Sequence, residues 1–306
     1  MNLGGAFAAV DLGTNSTRLL VVDATGQPLE RLMRITRLGE GVDRTGRLGE
    51  EAMGRTTEVL AEFASVMGGL GVVRARATAT SAARDAENAV EFARRVTEII
   101  GVVPEVLDGE EEARLTYKGA TSELDPTAGP YLVIDVGGGS TELVGGGSPG
   151  LQAASLEMGC VRVSERFLGH DPPLAEELEA ARAYVRQLVV QALGDEPGLD
   201  GAARLIGVAG TVSALTRLDQ GIVSYDRSRV HHACLALSVI ERLLNELAAV
   251  SLAARLSRPA LEAERADVLI GGTAVLAESM CVLGFDALTV SESDLLDGVV
   301  AELLSG

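Results

Sequence analysis

Apolar positions along this chain follow two different periods. Tyr131-Leu132-Val133-Ile134, Leu143-Val144, Ala8-Ala9-Val10 and Leu19-Leu20-Val21-Val22 are short continuous apolar runs, the pattern of buried strands. Val73-Arg74-Ala75-Arg76-Ala77-Thr78 alternates as a strand, and 27–36, 102–107, 151–157, 204–208 and 287–290 are strand-like as well. Helical spacing runs over 50–67, 174–193, 237–249, 267–281 and 295–304. Thr80 and Ser81 offer caps for a further helix that extends, with a break, toward Ile100. Strands alternating with helices place the chain in the α/β class.

The strand 131–134 leads into Asp135-Val136-Gly137-Gly138-Gly139-Ser140-Thr141-Glu142, after which a strand resumes. Three glycines let backbone N–H groups converge on an anion without Cβ obstruction, and Ser140 and Thr141 add hydroxyl donors. Asp135 and Glu142 suit a hard divalent cation such as Mg2+ that bridges to phosphate. The same pattern occurs at an offset of 124 residues in Asp11-Leu12-Gly13-Thr14-Asn15-Ser16-Thr17-Arg18. Asp11 then meets Asp135, Gly13 meets Gly137, Ser16 meets Ser140, Thr17 meets Thr141, and Arg18 stands opposite Glu142. A lone aspartate before a turn reads as a turn cap; the matched pair points instead to a duplicated phosphate-gripping hairpin. The two copies predict two similar domains around a ligand cleft, with positive charge for phosphate from Arg18 and negative charge for a cation from Glu142. Gly145 to Gly150 reads as a plain turn.

Composition sets the frame. With 306 residues, 47% hydrophobic and 23% charged, the chain resembles an ordinary globular protein of two domains. No apolar run is long enough for a membrane span, and the N-terminus lacks the pattern of a signal peptide, which predicts a cytoplasmic protein. A net charge of -18 argues against nucleic-acid binding. An anionic small-molecule substrate remains compatible, because a local arginine cluster governs its own cleft. Three scattered cysteines and three histidines have no metal-ligand or catalytic spacing.

Three more stretches carry candidate chemistry. Arg84 lies near a helix start, where an anion is favoured. Gly109-Glu110-Glu111-Glu112 opens a helix; dipole complementation accounts for two of the three glutamates and leaves one as a general base, without saying which. Gly210 and Thr211 follow a strand at a small-residue turn into a helix, a geometry that serves anion contact or close packing equally well. Asp125 to Pro130, polar and turn-rich, reads as the linker between domains 1–125 and 126–306, with the last helix packing back on the first domain.

Together with Gly39-Glu40-Gly41-Val42, Glu112-Ala113-Arg114 and Met158-Gly159-Cys160-Val161-Arg162, these motifs resemble the exopolyphosphatase and guanosine pentaphosphate phosphohydrolase family over almost the whole chain. The resemblance is to its short, two-domain type. It implies the duplicated ribonuclease-H-like fold shared with actin, sugar kinases and heat-shock chaperones, with the active site between the domains. By the same resemblance Glu112 is the catalytic base, and Asp135 and Glu142, with Asp11 as a further candidate, hold Mg2+ or another divalent cation. Asn15, Ser16, Arg84, Gly138, Gly139, Ser140 and Thr141 match phosphate contacts, and Arg18, Gly210 and Thr211 join them from the reading of the residues above. The implied substrate is inorganic polyphosphate, with guanosine pentaphosphate as the alternative, (p)ppGpp or a nucleotide as effector, and a homodimer as the assembly. A non-catalytic alarmone-binding regulator and a sugar kinase or actin-like ATPase are the rivals from other classes. One departure stands out: Leu296-Asp297-Gly298 occupies a place where the family usually has an arginine and a glutamate before the glycine.

Overall fold

Each β-strand set begins with a three-strand meander and continues through helical crossovers. In the computed structural model, which describes residues 5–147 and 150–305, the first set is β1 (Ala6–Leu12), β2 (Ser16–Val22) and β3 (Pro28–Ile35). After α1 (Val42–Thr45) and α2 (Glu50–Gly69) come β4 (Val72–Ala79), α3 (Ser81–Arg84), α4 (Ala89–Ile100), the two-residue β5 (Glu105–Val106) and α5 (Gly109–Thr121). The second set is β6 (Tyr131–Val136), β7 (Thr141–Gly147) and β8 (Gly150–Leu156), followed by α6 (Cys160–Phe167) and α7 (Ala175–Asp195). The chain then runs through β9 (Arg204–Val208), α8 (Ala209–Gln220), α9 (Arg227–Val230), β10 (Cys234–Ala236), α10 (Leu237–Ala248) and α11 (Leu252–Leu256). It closes with α12 (Leu269–Leu283), β11 (Ala287–Val290) and α13 (Leu295–Ser305).

The chain divides into unit 1, Met1–Gly119 with Asp294–Gly306, and unit 2, Ala120–Ser293. The sheet of unit 1 has the order β3-β2-β1-β4-β5; that of unit 2 is β8-β7-β6-β9-β11 with β10 added at the edge. In both, the meander is antiparallel and the next strands run parallel to its first strand. This is the ribonuclease-H-like arrangement, built twice. The expected division at 125/126 falls inside unit 2, because the polar stretch there is a surface turn rather than a linker. Asp125 Oδ1 accepts the Thr127 N–H at 2.8 Å, and its carbonyl accepts the Tyr131 hydroxyl at 2.6 Å.

Strand periodicity sorts the core of unit 1 into two layers. Ala8, Val10 and Leu12 join Leu60 and Phe63 of α2 and Phe92 and Val96 of α4. Ala9 and its neighbours Leu20 and Val22 face the other way and meet Leu115 of α5 and Leu296, Val299 and Val300 of α13. Burial on both faces explains why β1 and β6 lack polar alternation. The helix expected from Thr80 to Ile100 is interrupted as α3 and α4, and neither Thr80 nor Asn88 caps its helix by a side chain. Asn88 instead pairs with both backbone groups of Leu48, at 2.9 and 3.0 Å. The glycines taken as a plain turn also differ: Gly145 to Gly147 complete β7, where Gly145 makes room for the Gly198 carbonyl, while 148 and 149 lie outside the described residues.

One helix crossing is closer than side chains permit. A Cβ on Gly298 of α13 would overlap the Leu115 carbonyl of α5, and a Cβ on Gly119 would overlap the carbonyl of Asp294. Gly298→Ala is therefore expected to cost about 1–3 kcal/mol through overpacking. Gly54→Ala, in α2 with nothing within 4 Å of the added methyl, should gain up to about 1 kcal/mol from helix propensity. Thermal melts of the two variants check the contrast in sign.

Candidate active site

The parallel strands of unit 1 end at one edge, and the candidate residues gather there, where open α/β sheets bind ligands. β1 ends in the hairpin turn 12–16, β4 ends at α3 with Arg84, and β5 leads into α5 with Glu112. The hairpin turn is tight: Gly13 N–H donates to the Ser16 carbonyl at 3.0 Å, and a Cβ on Gly13 would stand 2.9 Å from that oxygen. The turn's carbonyls are occupied by protein, Thr14 O by Gly39 N–H and Asn15 O by the N–H groups of Thr36 and Arg37. The N–H groups of Thr14 and Asn15 meet no acceptor among the described residues. The Asn15 side-chain nitrogen is buried without a partner among them too. An orphaned buried donor is costly, and an anionic ligand at the turn would satisfy it.

The acid run separates in space. Asp108 caps α5, its Oδ1 accepting the Glu111 N–H at 2.9 Å. Glu110 is exposed, and Glu111 forms a bidentate pair with Arg114 at 2.7 and 2.8 Å, which holds its carboxyl below the usual range. Only Glu112 is buried, and its Oε2 accepts from Arg84 Nη1 at 3.2 Å. The same Arg84 nitrogen donates to the Leu107 carbonyl at 2.9 Å. Arg84 is thus a brace for Glu112 as well as a cation at the strand ends.

Unit 2 repeats the arrangement at the ends of β6 and β9. Asp135 and Glu142 are cross-strand partners, as Asp11 and Arg18 are in unit 1. Both carboxylates are buried, Glu142 to 1% exposure, and Glu142 Oε1 accepts the Ser155 hydroxyl at 2.9 Å. Gly137 presses on the Ser140 carbonyl as Gly13 does on Ser16, with a virtual Cβ at 3.0 Å. The carbonyls of Gly137, Gly138 and Gly139 all accept N–H donors from the segment 159–162, whereas the N–H groups of Gly138, Gly139 and Ser140 find no acceptor among the described residues. Such a row of outward amides is an anion nest. Thr141, by contrast, is fully buried and donates its hydroxyl to the Met158 carbonyl at 2.8 Å, so its side chain braces the turn. Gly210 and Thr211 begin α8, next to Val208, the sheet neighbour of Asp135. A Cβ on Gly210 would meet the Arg265 guanidinium, which can move aside, whereas a Cβ on Gly272 would press on Thr211 Oγ1 and Cys160 Cβ at 2.6 and 2.9 Å, so Thr211 packs against α12.

The model of the Ppx/GppA phosphatase family matches residues 19–305. This chain belongs to that family. It is 38% identical to exopolyphosphatase 2 of Mycobacterium tuberculosis, over 97% of this chain and 98% of that one. The crystal structure of the Aquifex aeolicus Ppx/GppA family member superposes with a TM-score of 0.81 at 30% identity, covering 98% of both chains. An exopolyphosphatase from Cytophaga hutchinsonii gives 0.88 at 27% identity, again over 98% of each.

Within this Ppx/GppA protein, two features of unit 1 bear on the sequence reading. Arg18, expected to face phosphate, donates from Nε and Nη2 to Asp11 Oδ2 at 2.9 and 2.8 Å, and from Nη1 to Asp294 Oδ2. Asp11 is thus ion-paired with Arg18; burial pushes its carboxyl up, and Arg18 and Thr78 pull it back. The second feature is the start of α13. Asp297 Oδ1 accepts from Arg31 Nη2 at 2.6 Å and its Oδ2 accepts the Asp294 N–H at 2.8 Å, while Asp294 Oδ1 accepts the Leu296 N–H at 3.0 Å. Asp294 and Asp297 thus cap the start of α13 between them, and Asp294 in turn holds Arg18. The spacing Asp294-x-x-Asp297 before an apolar run was the readable signal.

No group of three or more His, Cys, Asp or Glu placed to hold a metal occurs among the described residues. Two buried carboxylates at one hairpin nevertheless fit Mg2+, which takes one or two protein carboxylates and completes its shell with water and substrate phosphate. No described helix is long and apolar enough to cross a membrane.

Removing Arg18 would strand the buried carboxylate of Asp11. Arg18→Met is expected to destabilise the protein by about 3–5 kcal/mol. Adding Asp11→Asn should recover part of that loss, as read by urea unfolding of both variants.

Proposed function

We propose that this chain is an exopolyphosphatase that releases orthophosphate from the end of linear inorganic polyphosphate. The observation that carries the reading is the burial and bracing of Glu112, the single member of its acid run fixed by an arginine at the strand ends. The similarity to the mycobacterial exopolyphosphatase 2 supports the choice of substrate.

In this reading the Gly138–Ser140 amides and the donors of the 13–16 turn bind phosphate oxygens. Glu112 orients a water and takes its proton as the oxygen attacks the terminal phosphorus. The bond from that phosphorus to the bridging oxygen breaks, orthophosphate departs, and the bridging oxygen becomes the new end of the shortened chain. Mg2+ held by Asp135 and Glu142 would neutralise charge on the phosphate oxygens. Positioning and charge stabilisation are most of what phosphoryl transfer asks of a protein. A cytoplasmic setting, a homodimer and a nucleotide effector, implied by the family resemblance, complete the proposal.

Glu112→Gln should lower orthophosphate release from polyphosphate by at least about a thousandfold while the melting temperature stays near that of the wild type; proton transfer and water orientation together account for a loss of that order. Retained turnover would remove Glu112 from the role. Faster release from guanosine pentaphosphate than from polyphosphate would reassign the substrate. Chelation with EDTA should stop release and Mg2+ restore it, with Asp135→Asn needing more Mg2+ for half-maximal rate.

A further inference from the structure

The glycine turn of unit 2 is held from its carbonyl side by the start of α6 and by one of that helix's side chains. α6 starts directly over the glycine turn: Cys160 N–H donates to Gly137 O at 2.8 Å, Val161 and Arg162 N–H to Gly138 O at 2.9 and 3.2 Å, and Gly159 N–H to Gly139 O at 3.0 Å. This approach needs Gly159, since a Cβ there would overlap the peptide between Gly138 and Gly139. The first N–H groups of α6, which could serve a ligand in another fold, are thus spent on the turn. The Arg162 side chain, buried within the same turn of helix, adds a second bond to Gly139 O through Nε at 2.7 Å. Its Nη2 is anchored on Glu157 Oε2 at 2.6 Å. Glu157 precedes α6, so the guanidinium ties the end of β8 to the turn from the side opposite the outward amides.

We propose that Arg162 is a positioning residue for phosphate binding: by holding the Gly139 carbonyl against α6 it fixes the Gly139–Ser140 peptide so that its N–H points at the ligand. A peptide plane is rigid, so the fixed carbonyl determines the direction of the amide on its other side. Lysine cannot reproduce the link, because the planar fork reaches carbonyl and carboxylate at once and an ammonium does not.

This inference rests on the phosphate-hydrolase reading, and the test separates the two. Arg162→Lys is expected to raise KM for polyphosphate roughly tenfold with kcat within about threefold, the signature of lost uniform binding. Unchanged KM, or a fall in kcat alone, overturns the proposal. Should Arg162→Lys fail to fold, Glu157→Gln, at a half-exposed carboxylate, should raise KM about threefold by loosening the guanidinium, and an unchanged KM there overturns the proposal equally. A wild type that releases no orthophosphate sinks the exopolyphosphatase reading alone. Calorimetric titration of inorganic tripolyphosphate into wild type and Arg162→Lys then decides: about tenfold weaker binding upholds the role, and equal binding removes it.

Discussion

Both hairpins fold back over a glycine whose missing side chain lets the turn close on the carbonyl three residues further on. Closing so tightly leaves a short row of peptide groups with nowhere to turn inward. Their carbonyls are taken by flanking backbone, from Gly39, Thr36 and Arg37 in unit 1 and from the start of α6 in unit 2. The amides of Asn15, Gly138, Gly139 and Ser140 meet no acceptor among the described residues. Buried backbone groups without partners are expensive, so a turn of this kind persists only where an anion or water can complete it. The placement of α6 and the bareness of Gly159 serve the carbonyl side of the unit 2 turn.

Duplication supplied two such turns, and electrostatics made them unlike. In unit 2 two buried carboxylates stand across the hairpin from one another. In unit 1 the second acid is an arginine, which pairs with its cross-strand aspartate and with the cap of α13. The arginine therefore neutralises its own hairpin, and the amides and Asn15 are what that turn offers to an anion. The buried carboxylate of Glu112 comes from a separate element of unit 1 and is bonded by Arg84.

Much of this was readable in the order of residues. The apolar runs located the strands, the 124-residue offset gave the duplication, and glycines between two acidic positions marked the turn. The helices at 50–67 and 295–304 match α2 and α13 within a turn. What escaped was pairwise. Nothing local says that Arg18 will meet Asp294, 276 positions away, or that Asn88 will bond Leu48 instead of capping its own helix. The acid run is the clearest case. Three adjacent glutamates look equivalent in sequence, and only the helical rotation, which turns Glu112 inward and Glu110 outward, distinguishes them.

The crossing of α5 and α13 has a temporal consequence. Unit 2 is one continuous segment, whereas unit 1 is interrupted and recovers its last helix only at 294–306. During synthesis, when domains generally fold as their chain emerges, Ala120–Ser293 can complete its core while Leu20, Val22 and Leu115 still lack the apolar face of α13. Leu115, on the helix that carries Glu112, therefore gains its apolar partners Leu296, Val299 and Val300 only once α13 has been made.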